Sequence, residues 1–384
     1  MCRQIYMDNS ATTRPYDEVI EYMSCINKDI YGNPSSLHRK GIEAERIIKK
    51  SRVSIANSIN ADKDEIYFTS GGTESNNFAI RGYLNANKHS GSHIVTLKTE
   101  HPSVLEVYKH LANMGYSVDF VDVDSKGVIN LEQLEKILTQ DTSLISIILV
   151  NNETGTIQPI DEIIKIKNKV NRDICIHVDA VQAFGKIKLD VKKGGYDLLS
   201  VSSHKIHGPK GVGALYINKK RKVNAIVFGG GQESMLRSGT ENVPGIGGFA
   251  MAAEITYSNF IENYNKVTEI RDMFVNGLES EINGYKLLSP KNGLPYILNI
   301  SFENVKAEVL LHFLEQENIY VSTGAACSSR KNIHSHVLTA MGVQKGDIEG
   351  SIRFSFSSFN SVDEVPIVID ALKKILPKIK ITRK

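Results

Sequence analysis

The stretch LISIILV occupies residues 144–150 and leads directly into the polar run NNETG at 151–155. A strand that is apolar at nearly every position is typical of a parallel sheet covered on both faces, because side chains on both sides of it are then buried. The stretch therefore predicts the central strand of an α/β sheet, with a polar loop at the carboxyl end of that strand.

Short apolar runs alternate with helical patterns on both sides of this central strand. The other predicted strands cover 65–70, 94–97, 118–121, 174–178, 198–201 and 213–217. The predicted helices between them cover 74–86, 104–114, 131–138 and 160–170. Strands that alternate with helices predict a mostly parallel sheet with helices on both of its faces.

A second region of alternation follows a long helical tract predicted over 250–282. Its predicted elements are a strand at 297–302, a helix at 306–317, a strand at 352–356 and a helix at 362–375. We interpret this region as a smaller α/β domain that is hinged by the long helix. The predicted large domain covers residues 14–255, and the predicted small domain covers residues 1–13 and 256–384.

The chain length, the net charge and the number of cysteines restrict the class of protein. A chain of 384 residues is long for one core and suggests two domains. The net charge of +3 gives no case for a nucleic-acid binder, and no apolar run approaches the ~20 residues that span a membrane. The N-terminus has no signal-peptide pattern, and four scattered cysteines without metal-ligand spacing fit a reducing cytoplasm. We predict no metal site.

The loop after the predicted strand at 65–70 reads Gly71-Gly72-Thr73-Glu74-Ser75 and precedes a predicted helix. Glycines let the backbone approach an anion closely, and a helix N-terminus offers unpaired N–H groups and a positive dipole. The loop therefore predicts a phosphate cradle, although an ordinary strand-to-helix turn has the same composition. It is not a Walker loop, which requires Gly-Lys-Ser/Thr.

The segment SSHKIHGPKG, residues 202–211, follows the predicted strand at 198–201. Lys205 lies just past this apolar strand among small polar residues. Desolvation in a cleft lowers the pKa of an amine and frees it for Schiff-base chemistry. The alternative is a surface lysine in a loop, and Lys210 of the same segment fits that description better.

Three further strand ends carry polar side chains: His101, Asn152, and Asp179 with Gln182 after it. His101 could stack on a flat cofactor or move protons, and Asp179 could pair with a protonated ring nitrogen. Loop hydrogen bonding or helix capping is the ordinary alternative for each. In an open parallel sheet, however, ligands bind at the carboxyl ends of the strands. The shared edge predicts one site with these residues: Thr73, His101, Asn152, Asp179, Gln182, Ser202, His204 and Lys205.

The run Ser202-Ser203-His204-Lys205, with Asp179-Ala180-Val181-Gln182 upstream, resembles the cofactor site of the class V aminotransferase superfamily of pyridoxal-phosphate (PLP) enzymes. With Cys327 included, the resemblance narrows to cysteine desulfurases of the nitrogen-fixation and iron–sulfur-cluster type. The resemblance runs nearly end to end, through YMDNSATT at 6–13, GNPSS at 32–36, GGGQE at 229–233, RSGT at 237–240 and SIRFS at 351–355. It implies the PLP-dependent transferase fold type I.

The resemblance also implies how PLP would be held. Lys205 would carry it as a Schiff base, and Asp179 would keep the pyridine nitrogen protonated so that the ring withdraws electrons. Gln182 would bond the ring hydroxyl, and His101 would stack on the ring. The residues implied around the phosphate are Gly72, Thr73, Ser202 and His204, together with Thr240 of the other subunit, so a homodimer with composite sites is implied.

For the substrate, the resemblance implies that Asn152 and Arg353 bind the carboxylate of L-cysteine and that Asn33 also binds the substrate. A guanidinium suits a planar carboxylate because it can bond both oxygens. The predicted catalytic residues are Lys205, His101 and Cys327.

Cys327 lies in STGAACSSRK, residues 322–331. Such small residues have little to bury, so we expect an exposed loop in which Arg330 and Lys331 favour the thiolate. By contrast, Cys25 and Cys175 lie in more apolar surroundings and are expected to be inert. The resemblance implies that Cys327 takes the sulfur as a persulfide, releases L-alanine, and passes the sulfur to an acceptor protein.

The acceptor is left open between an iron–sulfur scaffold, a tRNA-thiolation enzyme and a thiamine-pathway protein. The alternative activities are those of a selenocysteine lyase or of an aminotransferase for small amino acids. An aminotransferase has no use for Cys327, whereas a lyase would be distinguished only by comparing cysteine with selenocysteine as substrates.

Overall fold

The computed structural model describes residues 4–323 and 334–380. Within them, one sheet, here called the large sheet, consists of β2 (Ile66–Thr69), β3 (His93–Leu97), β4 (Ser117–Val121), β5 (Thr142–Ile148), β6 (Cys175–Asp179), β7 (Leu198–Ser202) and β8 (Gly213–Ile217). Its order is β2-β8-β7-β6-β5-β3-β4. Only the pairings of β8, with β2 and β7, are antiparallel among these strands. The predicted central strand β5 is buried along its whole length, as its apolar sequence requires.

Among the described residues, ten α-helices lie before the second sheet begins in sequence. They are α1 (Asp17–Asp29), α2 (Arg39–Ser58), α3 (Gly72–Asn77), α4 (Tyr83–Ala86), α5 (Pro102–Asn113), α6 (Leu131–Ile137), α7 (Ile160–Val170), α8 (Val191–Gly194), α9 (Val243–Ser258) and α10 (Phe260–Glu281). A π-helical turn over Phe78–Gly82 joins α3 to α4. Helix α9 lies close to α1 because Gly247 and Gly248 leave no room for a β-carbon beside Ile26 and Met23.

A second sheet, here called the small sheet, is antiparallel and has the order β12-β13-β10-β9. Its strands are β9 (Tyr285–Leu287), β10 (Ile297–Phe302), β12 (Ser322–Thr323) and β13 (Ser351–Ser355). The helices of this part are α11 (Ala307–Gln316), α12 (His336–Ala340), α13 (Lys345–Glu349) and α14 (Glu364–Ile379). One cluster of buried apolar side chains includes residues of both sheets, such as Ile147 and Ile300.

The long helix predicted over 250–282 is wrong as a single element. The chain forms α9 and α10 there, separated at Asn259. The Asn259 side chain donates to the carbonyl oxygen of Ile255 at 3.0 Å, and the Asn259 backbone N–H bonds the same oxygen. A short amide side chain that bonds a nearby carbonyl in this way competes with helix continuation.

The N-terminal residues connect the two sheets. Strand β1 (Ile5–Tyr6) pairs in parallel with β11 (Ile319–Tyr320), and Asp8 then forms a bridge with Ser355 at the end of β13. A few residues later, the backbone N–H of Thr13 donates to the carbonyl of His204, just past β7. Residues 9–13 therefore lie between the carboxyl edge of the large sheet and the small sheet, and we call them the N-terminal segment.

In the part of the chain that the structure describes, no helix combines the length and the apolar composition that a membrane crossing needs.

Candidate active site

Lys205 lies at the carboxyl end of β7, in a short 3-10 turn over Ser203–Lys205. Its Nζ donates to the carbonyl oxygens of Ser10 at 2.6 Å and Ala11 at 2.7 Å. The turn itself is fixed by Thr13, whose backbone N–H and Oγ1 both donate to the carbonyl of His204. The amine is therefore held half-buried between the large sheet and the N-terminal segment, at the edge where the sequence predicted it.

The glycine turn at the start of α3, formed by Gly71 and Gly72, lies against Ser202. A β-carbon on Gly72 would come within 2.6 Å of Val181 Cγ2, so the backbone there lies closer than any side chain allows. Ser202 Oγ is buried and has no hydrogen-bond partner among the described residues. An orphaned hydroxyl beside a glycine turn is a feature that a phosphate oxygen would satisfy. Thr73 follows in the same turn and is exposed.

Asp179 ends β6 and is almost fully buried. Its Oδ1 accepts the backbone N–H of Val181 at 3.0 Å, and its Oδ2 accepts Nδ2 of Asn76 at 2.7 Å. The same Nδ2 donates to Ser103 Oγ at 2.8 Å, and Ser103 Oγ lies 2.8 Å from His101 Nδ1. Asn76 and Ser103 thus join Asp179 to His101 in one buried polar chain. Sequence reasoning missed both, because neither ends a predicted strand.

Both histidines of the predicted site are surrounded mainly by protein. Burial lowers the pKa of His101, and the nearby Asp179 carboxylate offsets part of that effect. Burial, followed by the positive charge of Lys205, lowers the pKa of His204 to about 3. His204 Nδ1 lies 3.1 Å from Thr12 Oγ1. Both imidazoles are therefore neutral at neutral pH, which suits stacking on a ring for His101 and single N–H donation for His204.

Ser10 of the N-terminal segment contacts three of the predicted site residues. Gln182 Nε2 donates to its carbonyl oxygen at 2.9 Å, the same oxygen that accepts Lys205 Nζ. Ser10 Oγ donates to the carbonyl of Asn152 at 2.8 Å. In the sequence this segment stands out only as part of the family motif at 6–13, and no local pattern predicts a role for its residues. The available signal was a polar run directly after a short strand.

Arg353 of β13 faces the large sheet from the other side. Its side chain is almost fully buried, with NH1 donating to the carbonyl of Asn152 at 2.9 Å and NH2 donating to Asp8 Oδ1 at 2.9 Å. The Nε of Arg353 is buried without a hydrogen-bond partner among the described residues. The structure thus brings Arg353 and Asn152 together as predicted, and it leaves one guanidinium donor for another acceptor.

Two side-chain contacts attach the start of α12 to the edge of the large sheet. Ser335 Oγ donates to Glu153 Oε2 at 2.5 Å, and His336 Nε2 lies 2.9 Å from the carbonyl oxygen of Glu100. Burial raises the pKa of Glu153 to about 7, although Ser335 and Arg353 act against this rise. We call these two contacts the α12 anchor. Sequence reasoning missed it, since the pairs are about 180 and 236 residues apart.

Three predicted site residues are not brought to this edge by any contact of the described chain. Asn33 is exposed between α1 and α2, and its Oδ1 accepts only a local backbone N–H, that of Ser35. Thr240 is also exposed, three residues after Arg237, which pairs with Glu74 of α3 at 2.8 Å. Cys327 lies outside the described residues.

The prediction for the other cysteines was partly wrong. Cys175 is buried in β6, and burial raises the pKa of its thiol well above the usual value, so it is inert as expected. Cys25, however, is exposed, because it lies on the outer face of α1, where its Sγ is 3.6 Å from Asp29 Oδ2. Cys2 lies outside the described residues.

The family comparison covers nearly the whole chain. The family model for aminotransferase class-V matches residues 5–368. Among curated relatives, the protein named cysteine desulfurase IscS of Dictyoglomus turgidum is 44% identical over 381 residues, which cover 99% of this chain and 96% of that protein. The cysteine desulfurase IscS of Methanosarcina thermophila is 42% identical and covers 98% of this chain and 93% of that protein.

Solved structures agree with the relatives. A NifS-like protein superimposes with a TM-score of 0.93 at 40% identity, covering 98% of this chain and 100% of that chain. A structure described as SspA in complex with cysteine gives a TM-score of 0.82 at 33% identity, covering 93% of this chain and 99% of that chain. These similarities extend over both sheets and are not confined to the edge that carries Lys205.

Proposed function

The chain belongs to the class V aminotransferase family, among its cysteine desulfurases, and on this premise we propose that Lys205, Asp179 and Arg353 together convert L-cysteine with PLP. The single observation that carries the proposal is the half-buried amine of Lys205 at the strand edge that also holds Asp179 and the orphaned Ser202 hydroxyl. Relatives named as cysteine desulfurases favour this activity over that of a selenocysteine lyase or an aminotransferase.

The residues at this edge fit PLP. Ser202 Oγ and the glycine turn at Gly72 would hold the phosphate, with Thr73 and His204 beside them. Asp179 would hold the ring nitrogen, because its carboxylate is fixed by Asn76 and Val181 and is buried. When bound, PLP supplies an electron-withdrawing ring that stabilises negative charge at the α-carbon of an amino acid.

Each of the protein's own groups then has a defined task. Lys205 would hold the cofactor, and its amine would move the α-proton of the substrate. Arg353 would bind the substrate carboxylate with its guanidinium, next to Asn152; its Nε has no hydrogen-bond partner among the residues that the structure describes. His101 covers the ring as a neutral imidazole.

Cys327 takes the sulfur. Its thiolate forms a bond with the sulfur of bound L-cysteine while the bond from that sulfur to the β-carbon breaks. The electron pair of the broken bond stays with the carbon fragment, which gains a proton and leaves as L-alanine. The protein retains the sulfur as a persulfide. Arg330 and Lys331 follow in sequence and would favour the thiolate.

Further parts of the proposal concern the assembly. A homodimer would explain why Thr240 is exposed in one chain, since it would complete the site of the other subunit. The large domain would cover residues 14–255, and the small domain residues 1–13 and 256–384. The sulfur acceptor would be an iron–sulfur scaffold or a tRNA-thiolation enzyme in the cytoplasm.

The proposal is tested with the purified protein loaded with PLP. We expect a visible absorption band that changes when L-cysteine is added, followed by release of L-alanine and labelling of Cys327 as a persulfide, read by mass spectrometry of the peptide. Lys205→Ala should lose the band, whereas Cys327→Ser should keep it and lose the persulfide. Full alanine production with reductant by Cys327→Ser would overturn the role of Cys327.

A further inference from the structure

Lys186 is a buried lysine for which the proposed reaction has no use. It lies one helical turn after Gln182, just beyond β6, and is 6% exposed. Its Nζ donates to Gln182 Oε1 at 3.0 Å and lies 5.7 Å from the ring centroid of Tyr296. A cavity of about 20 Å³ separates this region from Lys205, and both lysines line it. Lys186 is therefore a neighbour of the candidate site and does not belong to the surface.

The charges around Lys186 make its burial costly. Burial, followed by the positive charges of Lys205 and Arg353, lowers the pKa of Lys186 to about 7. The other titratable groups that face it are His204 and His207 of the turn after β7 and the phenol of Tyr296. A buried ammonium among cations and neutral groups is unfavourable unless something anionic binds nearby or the ammonium fixes a needed geometry.

The contact with Gln182 fixes such a geometry. The oxygen and nitrogen of a glutamine amide are hard to distinguish by shape, so the partners determine which end points where. A lysine ammonium only donates hydrogen bonds, so below the Lys186 pKa of about 7 the amide must turn Oε1 towards Lys186. The amide NH2 then points the other way, where Nε2 donates to Ser10 at 2.9 Å.

The NH2 group of the Gln182 amide points towards Lys205. Gln182 Nε2 and Lys205 Nζ donate to the same carbonyl oxygen, that of Ser10, at 2.9 Å and 2.6 Å. Two donors that share one acceptor lie next to each other. Any group joined to Lys205 therefore meets the hydrogen-bond-donating end of Gln182 and not its carbonyl end.

We propose that Lys186 is a positioning residue that holds the Gln182 amide in one orientation, so that its NH2 donates to the ring oxygen of PLP beside Lys205. This rests on the proposed function, since it assumes that PLP is joined to Lys205. A donor at that place stabilises the ionised ring oxygen, whereas the reversed amide would present its own carbonyl oxygen and repel it. Lys186 thus sets the charge state of the cofactor without contacting it.

The test is a pH titration of the visible absorption of the PLP-loaded protein in the absence of substrate. Lys186→Met removes the donor to Oε1 and leaves only the Ser10 contacts to orient the amide. We expect the midpoint of the spectral titration to rise by roughly one unit, the ordinary spread of pKa values in folded proteins. Lys186→Arg keeps a buried cationic donor and should titrate like the unchanged protein. Lys188→Met removes an exposed lysine two residues away and serves as the matched control.

A second variant covers the case in which Lys186→Met does not fold. Gln182→Glu presents an acceptor oxygen to the ring side whatever Lys186 does, so it should raise the midpoint in the same direction. Lys186→Met in a Gln182→Leu background should add no further shift, because Lys186 acts through Gln182.

The proposal is overturned if folded Lys186→Met titrates like the unchanged protein, or if its shift persists in full in the Gln182→Leu background. The second result would mean that the charge of Lys186 acts on the cofactor directly. Failure of the proposed function looks different, since the unchanged protein would then show no visible band that depends on Lys205.

Discussion

On the large-sheet side of the site, Lys205 and Lys186 donate to backbone and amide oxygens, whereas on the small-sheet side Arg353 is paired with the carboxylate of Asp8. These accepting oxygens carry no net charge, so an anionic ligand on that side would be attracted by the two amines. The Arg353 charge is already partly balanced, and what it retains is a directional N–H donor. The large-sheet side therefore supplies positive charge to the ligand, and the small-sheet side supplies a hydrogen-bond donor that orients it.

The largest expected effect comes from removing the charge on the large-sheet side. Lys205→Ala should lower the rate of alanine formation by about 10²–10⁴-fold, because a positioned proton-transfer group is lost together with the cofactor link. Lys210→Ala changes an exposed lysine of the same loop and should retain full activity. The measurement is kcat with L-cysteine. Equal losses in both variants would remove the distinction between the two lysines.

A second prediction concerns the pH dependence of stability at the α12 anchor. The folded-state pKa of Glu153 is raised from 4.5 to about 7, so the folded chain binds this proton more tightly than the unfolded chain. Its stabilising contribution is complete below pH 4.5 and is lost as pH rises through about 7, a change of at most about 3 kcal/mol.

Glu153→Gln replaces the carboxyl group with an amide, which is neutral at every pH. The variant should therefore lose the pH-dependent contribution of Glu153 to stability. The free energy of unfolding is measured for both proteins by urea denaturation between pH 4 and 8. The other titratable groups are the same in both, so their effects cancel when the two free energies are subtracted. We expect the variant to gain stability relative to the unchanged protein as pH rises. A constant difference across this range would contradict the burial argument.

The role of the small-sheet side in orienting the substrate carboxylate is tested with Arg353→Lys. This variant keeps the positive charge but loses the planar set of guanidinium donors. We expect KM for L-cysteine to rise about 10- to 100-fold, corresponding to the ~1.5–3 kcal/mol of a hydrogen bond to a charged group. The visible absorption without substrate should be unchanged. Arg14→Lys, an exposed arginine, is the control. A loss confined to kcat would instead place Arg353 outside substrate binding.

The smallest expected effect is that of His336→Phe, which removes the second contact of the α12 anchor. Loss of one neutral hydrogen bond to the carbonyl of Glu100 should reduce the free energy of unfolding by about 0.5–1.5 kcal/mol. His312→Phe on an exposed face of α11 should change it less. If His336→Phe were as stable as the unchanged protein, the anchor would rest on Ser335 and Glu153 alone.

The two sides also differ in how far the sequence predicts them. Lys205, Asp179 and Asn152 end or follow strands of a parallel sheet, and topology alone brings such residues to one edge, so they were predicted before any contact was known. Strands at 213–217 and 297–302 and the helix at 160–170 were predicted with their observed bounds.

Contacts between residues that are far apart in sequence could not be predicted in the same way. Asp8 with Arg353 and Glu153 with Ser335 join residues that no local pattern relates, and the importance of Ser10 depends on three partners in three different elements. The break at Asn259 was missed because the helical pattern continues on both sides of it, and one side-chain hydrogen bond decides the local outcome.

The N-terminal segment has a consequence for how the protein is made. Ser10 accepts Lys205 through its carbonyl, and its own backbone N–H donates to Ser355 Oγ at 2.8 Å. A ribosome that adds about 5–20 residues per second needs roughly 20–70 s to advance from residue 10 to residue 355. During that time Ser10 has been synthesised but Ser355 has not. The pocket of the nascent chain therefore stays incomplete until synthesis is nearly over.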